Sequence, residues 1–161
     1  MSRVWNLLAE AFASCFFLTY PIVRWAKARG MRWTGAGLIG SLAGLASARF
    51  LPSDPLRCCL VLLGVLFVSV AISDKAEDIL GVKDDQRIVI DEWAGYLASV
   101  ALLPKTPFYL LSGLVLFRIM DTLKLAGVNR LARLPGGWGI VMDDVAAGVL
   151  VNAVLRILPH P

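Results

Sequence analysis

The sequence predicts an all-α fold, a polytopic membrane helical bundle made of one domain over residues 1–161. Three observations predict it. Apolar residues make up 58% of the chain and charged residues only 17%, with a mean hydropathy of +0.71. A soluble domain carries about 25% charged residues, so this chain has too little charge to coat a globule of its size. Apolar runs recur at a regular beat, at roughly 5–23, 35–52, 56–73, 88–104, 107–120 and 139–158. No run alternates apolar with polar residues as a barrel strand does. Spanning backbone must then be helical, because lipid offers no hydrogen-bond partners. The composition excludes a disordered chain and a nucleic-acid module. The net charge of +4 therefore bears on topology rather than on DNA.

Taken in order, the first run has the apolarity of a signal peptide. However, Glu10 interrupts it, Arg3 is the only charge before it, and no small-residue cleavage site follows. Trp5, Trp25 and Trp33 read as interface anchors. The second run carries Gly40, Ser41 and Gly44, small residues suited to close helix packing. Leu60 to Ile72 in the third is uncharged and the cleanest span. The fourth and sixth hold embedded acid pairs, and the fifth leads into Arg118 and Asp121. A bilayer core needs about 20 apolar residues per helix, with about 17 as the lower limit. Several runs sit at or below that limit, so tilted, broken or partly inserted helices are expected. Cys15, Cys58 and Cys59 all lie in apolar runs, which argues against a disulfide framework.

If all six runs cross or nearly cross, loops 24–34, 74–87 and 118–138 share one side. That side holds Arg24, Lys27, Arg29, Arg32, Lys75, Lys83, Arg87, Arg118, Lys124, Arg130 and Arg133, eleven of the sixteen basic residues. The positive-inside rule makes it cytoplasmic. Ten of the twelve acids, all but Glu10 and Asp54, lie in or beside the same loops. One end of the molecule thus reads as a polar working face on an apolar anchor.

Three stretches carry candidate chemistry: DDQRIVIDEWAG at 84–95, RIMDTLK at 118–124 and GGWGIVMDDVAAG at 136–148. Asp91 and Glu92, like Asp143 and Asp144, sit inside apolar runs, where a carboxylate is costly and points to function. Converging carboxylates repel one another unless a cation joins them. An oxygen-only donor set suits a hard divalent ion such as Mg²⁺, which in turn favours phosphate substrates. Arg118 and Lys124 suit phosphate oxygens. Backbone N–H groups at Gly136, Gly137 and Gly139, before the last helix, suit an anion. The only histidine is His160, so a carboxylate must serve as base if a side chain does.

Plainer readings stand beside these. The glycine stretch can be only a turn. Arg118 and Asp121 can be a helix pair. Lys83, Asp84, Asp85 and Arg87 can be a solvated charge run. Glu10 has no assigned partner. The two acid pairs are the hardest to dismiss on structural grounds.

These stretches resemble the phosphatidylglycerophosphatase A family. The matching segments are GLIGSLAG at 37–44, the Asp84 loop leading into IVIDEWAG at 88–95, FRIMDTLK at 117–124 and GGWGIVMDDVAAGV at 136–149. They follow the family's order and cover about residues 35–155. The family's threonine before Gly-Ser is Leu38 here, with Thr34 nearby, and its Lys-Pro is Lys124-Leu125. The resemblance implies a central helix ringed by others. It also implies Mg²⁺-dependent hydrolysis of phosphatidylglycerophosphate to phosphatidylglycerol and phosphate at a bacterial inner membrane.

On this reading Asp84, Asp91, Glu92, Asp121, Asp143 and Asp144 are the metal set, and all but Asp84 are also catalytic. Lys124, Arg118, Ser41, Gly136, Gly137 and Gly139 grip the phosphate. The partners are a phospholipid substrate and the membrane, with no nucleic acid; the sequence leaves oligomeric state open. A small cation-coupled carrier is the alternative, and it requires acids spread through the membrane depth. A helical packing subunit is a third reading, which leaves the acid pairs unexplained.

Overall fold

The computed structural model describes residues 2–31, 34–123 and 128–158. Among them it has seven α-helices and no strand: α1 (Ser2–Ala13), α2 (Thr19–Ala28), α3 (Gly37–Ala48), α4 (Pro55–Leu80), α5 (Ile90–Ser99), α6 (Pro107–Leu123) and α7 (Gly136–Ile157). A short 3-10 helix, Val128–Arg133, precedes α7.

Local chemistry sets the bounds of α4. Asp54 caps its start by accepting from the Arg57 N–H at 2.9 Å, Pro55 occupies the first turn, and Gly81 ends it at φ +66°. Its 26 residues rise about 39 Å, and its most apolar stretch has a mean hydropathy of 2.4. Among the described residues it is the one helix long and apolar enough to cross a membrane. Leu56, Leu60, Leu63 and Phe67 on it are exposed.

The short α5 lies in the middle, packed against α3, α4, α6 and α7. Its Tyr96 and Leu97, with Val100 just beyond, are buried among Phe117 of α6 and Val151 and Leu155 of α7. Each large apolar side chain buried this way contributes about 1.5–3 kcal/mol. The Tyr96 hydroxyl donates to Leu110 O at 2.9 Å, so its polar end is satisfied. Two features draw α5 and α7 together. A Cβ at Gly148 would collide with the Gly95 carbonyl, so the backbones meet directly. At the far end Asn152 Nδ2 donates to the α5 C-terminal carbonyls of Ser99 and Ala101, at 3.1 and 2.9 Å.

The first apolar run differs from the sequence expectation. Residues 5–23 form two helices, α1 and α2, broken by a turn rather than one segment, with Cys15, Phe16 and Phe17 all at positive φ, 50–63°. Ser14 Oγ donates to Glu10 O and accepts from the Phe17 N–H, at 2.6 and 3.0 Å. Thr19 Oγ1 donates to Arg87 O at 2.9 Å and the Val89 N–H donates to Ala13 O at 2.8 Å. These tertiary bonds hold left-handed backbone that non-glycine residues resist. Glu10 now has a partner, the Tyr20 hydroxyl that donates to it. The fourth run forms a helix of only 10 residues, about 15 Å long. Trp5 and Trp25 are exposed, as interface anchors are expected to be; Trp33 lies outside the described residues.

Candidate active site

The first acid pair opens α5. Asp91 and Glu92 lie in its first turn, where the positive end of the helix dipole favours carboxylates. The second pair lies within α7, with Asp143 and Asp144 only 7% and 5% exposed. Because α5 and α7 meet backbone to backbone, the pairs come together. One carboxylate oxygen each from Asp91, Glu92 and Asp144 lies within 4.8 Å of the others. Asp91 Oδ1, Glu92 Oε2 and Asp144 Oδ2 are buried and accept no hydrogen bond. Buried anionic oxygens without donors cost several kcal/mol each unless a cation satisfies them. The donors are all hard oxygens, the set that holds a divalent metal of the Mg²⁺ type.

Arg118 near the end of α6 is the cation beside them. Its Nη1 lies 3.0 Å from Asp121 Oδ2, 3.8 Å from Glu92 Oε1 and 3.4 Å from Ser41 Oγ. The Arg118–Asp121 helix pair and the site are thus one feature. Gly37 makes room for it: a Cβ there would collide with Glu92 Oε1. Ser41 does not face the cavity; it donates to Gly37 O at 3.1 Å and accepts from Arg118. It therefore backs the arginine.

All of these acids border one cavity of about 350 Å³, whose rim also includes Thr34, Gln86 and Thr122. Asp84 lines it from a left-handed backbone, φ +51°, a conformation that costs about 1 kcal/mol or more. Its neighbour does something different. Asp85 is buried and accepts from Arg87 Nε and Nη2 at 2.7 and 3.0 Å. Burial alone would raise the Asp85 carboxyl, and the bonds from Arg87 outweigh it, holding the pKa below the ordinary carboxylate value. The run 83–87 is therefore half site and half clamp.

The glycine stretch is corrected by the structure. The Gly137 N–H already donates to Asp74 Oδ1 at 3.1 Å. A Cβ at Gly136 would strike Asp74, one at Gly137 the Val70 carbonyl, and one at Gly139 the Leu134 carbonyl. None of the three glycines lines the acidic cavity. Gly136 and Gly137 let α7 start close against α4, and Gly139 lets it start close under the turn that precedes it, instead of presenting N–H groups to an anion. Lys124 lies outside the described residues. Gln86, Thr122, Gly37 and Asp74 were missed in the sequence. Gly37 and Thr122 fall within the matching segments at 37–44 and 117–124, and Gln86 stands two residues from both Asp84 and Ile88 on the loop into α5.

The cavity sits where the starts of α3 and α5 meet the end of α6. It gathers Asp84, Asp91, Glu92, Asp121, Asp143 and Asp144 around one space.

The phosphatidylglycerophosphatase A family matches residues 22–159 of the chain. Phosphatidylglycerophosphatase A of Escherichia coli is 33% identical over 99% of this chain and 86% of its own length. This chain belongs to that family. A Bacteroides thetaiotaomicron protein provisionally named a phosphatidylinositol-3-phosphatase is 34% identical over 72% of this chain and 76% of its own. No solved structure matches the chain. As a member of the phosphatidylglycerophosphatase A family the protein is a phosphatase.

Proposed function

We propose that this phosphatase hydrolyses the terminal phosphate of phosphatidylglycerophosphate, with Mg²⁺, at the cytoplasmic face of a bacterial inner membrane. The observation that carries the reading is the cluster of Asp91, Glu92 and Asp144 beside Arg118, which bring one carboxylate oxygen each within 4.8 Å of one another and each carry a buried oxygen without a hydrogen bond. The choice of lipid follows the E. coli relative, which aligns with nearly the whole chain.

Asp91, Glu92 and Asp144 would hold the ion, with Asp84, Asp121 and Asp143 bordering the same space. When bound, such an ion polarises the phosphoryl oxygens and offsets their charge. Arg118, aimed by Ser41 and Asp121, donates to the phosphate oxygens and favours the charge that develops as the ester breaks. Lys124, three residues past Asp121 in the sequence, would be the second cation of the grip. With no histidine among the described residues that line the cavity, Asp143 or Asp121 takes the proton of the attacking water and returns it to the glyceryl oxygen. The glycines of α7 act by packing. Helices α3, α5, α6 and α7 accompany α4 in the bilayer, with the cavity mouth at the headgroup level.

The test is phosphate release from phosphatidylglycerophosphate by purified protein, with Mg²⁺ and with chelator. Release that needs Mg²⁺ is expected. Release indifferent to chelation overturns the metal, and release only from phosphatidylinositol 3-phosphate overturns the substrate.

A further inference from the structure

A second concavity, of about 630 Å³, opens on the far side of the loop that carries Asp84. The loop alternates. Asp84, Gln86 and Ile88 line the acidic cavity, whereas Arg87 lines the second one. Its other wall is α2, where Tyr20, Arg24 and Lys27 at i, i+4 and i+7 form one stripe. Arg87 is pre-positioned. Asp85 takes its Nε and Nη2, and its guanidinium sits 5.2 Å from the Tyr20 ring centroid. Asp85 is consumed by Arg87, and Glu10 accepts from Tyr20. Arg24 and Lys27 are exposed at the rim. The surplus is cationic.

What surrounds these cations identifies the ligand. Phe16, Leu18 and Trp25 are 66%, 56% and 51% exposed on the turn before α2 and on α2 itself. Arg29 lies over the Trp25 ring at 4.2 Å. Cations beside exposed aromatic and apolar side chains suit the headgroup layer, where phosphate meets acyl chains. A soluble anion would have no use for the apolar border.

We propose that the concavity formed by Tyr20, Arg24, Lys27 and Arg87 binds the phosphate of an anionic phospholipid other than the one being hydrolysed. A lipid held there braces Arg87, and through it the loop that presents Asp84 and Gln86 to the acidic cavity. The inference rests on the proposed membrane setting, not on the proposed hydrolysis.

The experiment is native mass spectrometry of the full-length protein in neutral detergent, titrated with phosphatidylserine, phosphatidylcholine or soluble glycerophosphoserine. Phosphatidylserine is anionic and carries no terminal phosphate to remove. The wild type should bind it about tenfold or more tightly than phosphatidylcholine, and Arg24→Gln with Lys27→Gln should erase that preference. Asp91→Asn should keep it. Both α2 side chains are exposed, so the variant should fold; if circular dichroism shows otherwise, Lys27→Gln alone should lower the preference about threefold. A preference that survives these changes overturns the proposal. So does loss of preference in Asp91→Asn, which would put the lipid in the acidic cavity. Equal affinity for glycerophosphoserine also overturns it, by making the site one for soluble phosphate esters. If phosphatidylglycerophosphate is not hydrolysed but the preference holds, only the proposed function fails.

Discussion

Gly95→Ala tests whether the α5–α7 contact sets the site. Gly95 lies three residues past Glu92 and packs on the α7 backbone. A Cβ there would stand 2.7 Å from the Asp144 carbonyl oxygen and 2.7 Å from the tip of the Phe117 ring. Ordinary contact begins near about 3.5 Å, so the two helices must part by about 0.8 Å. Neither neighbour yields easily, since one is backbone and Phe117 is fully buried. Overpacking of this kind costs about 1–3 kcal/mol, which lowers Tm by about 3–10 °C in a domain of this size. The same displacement moves Asp144 away from Asp91 and Glu92, and a misplacement near 1 Å costs about 10²-fold in rate. The assay is phosphate release, read as kcat/KM against Mg²⁺ concentration, beside a thermal melt. The variant should fold, melt lower, lose about 10²-fold in kcat/KM and need more Mg²⁺. Gly64→Ala on α4 is the control, because a Cβ there meets nothing within 4 Å; it should keep full activity and gain up to about 1 kcal/mol. Wild-type kcat/KM and Mg²⁺ dependence in Gly95→Ala would refute the geometry.

Asp91→Asn and Asp143→Asn should each lose about 10²-fold or more in turnover while remaining folded, with Asp91→Asn partly rescued by excess Mg²⁺; near-normal activity in both would remove them from the catalytic set. Lys124→Met should lose most of its kcat/KM without rescue by Mg²⁺, whereas Lys124→Arg keeps measurable activity; an inert Lys124→Met would return that lysine to a topological role. Asp85 is held below its unfolded pKa by Arg87, so its clamp stabilises above about pH 4 and fades as pH falls through the lower folded value. Asp85→Asn should therefore melt below wild type at neutral pH, and the gap should narrow on acidification; a gap unchanged at pH 3 would show that the carboxylate contributes nothing through its charge.

Much of the site was legible because its residues betray themselves one at a time. Asp91, Glu92, Asp143 and Asp144 stand out since charge in an apolar run has a transfer cost no neighbour in sequence can offset. Arg118 and Asp121 share a helix face at three-residue spacing, and the structure keeps that pair while adding Glu92 and Ser41. The glycines at 136–139 show the opposite case. Glycine before a helix fits an anion loop and a close helix crossing equally well, and only the position of Asp74 and Val70 on α4 decides between them. Asp84 and Asp85 are likewise the same residue type side by side; Arg87 claims one and leaves the other to the cavity.

By itself the sequence determined the helical class, the long apolar α4 and the oxygen-rich donor set. These follow from transfer free energy, helix period and residue chemistry, which act over a few neighbouring residues. Tertiary structure alone decided that residues 5–23 break into two helices at a left-handed turn, that α5 is short and enclosed, and that a basic concavity lies behind the acidic one. Each of those depends on a partner far along the chain: Arg87 and Val89 against the turn between α1 and α2, Asn152 and Gly148 against α5, and Arg87 beside the α2 stripe. Hydrogen bonds and close contacts fade within a few ångströms, so such pairings exist only once the helices are packed.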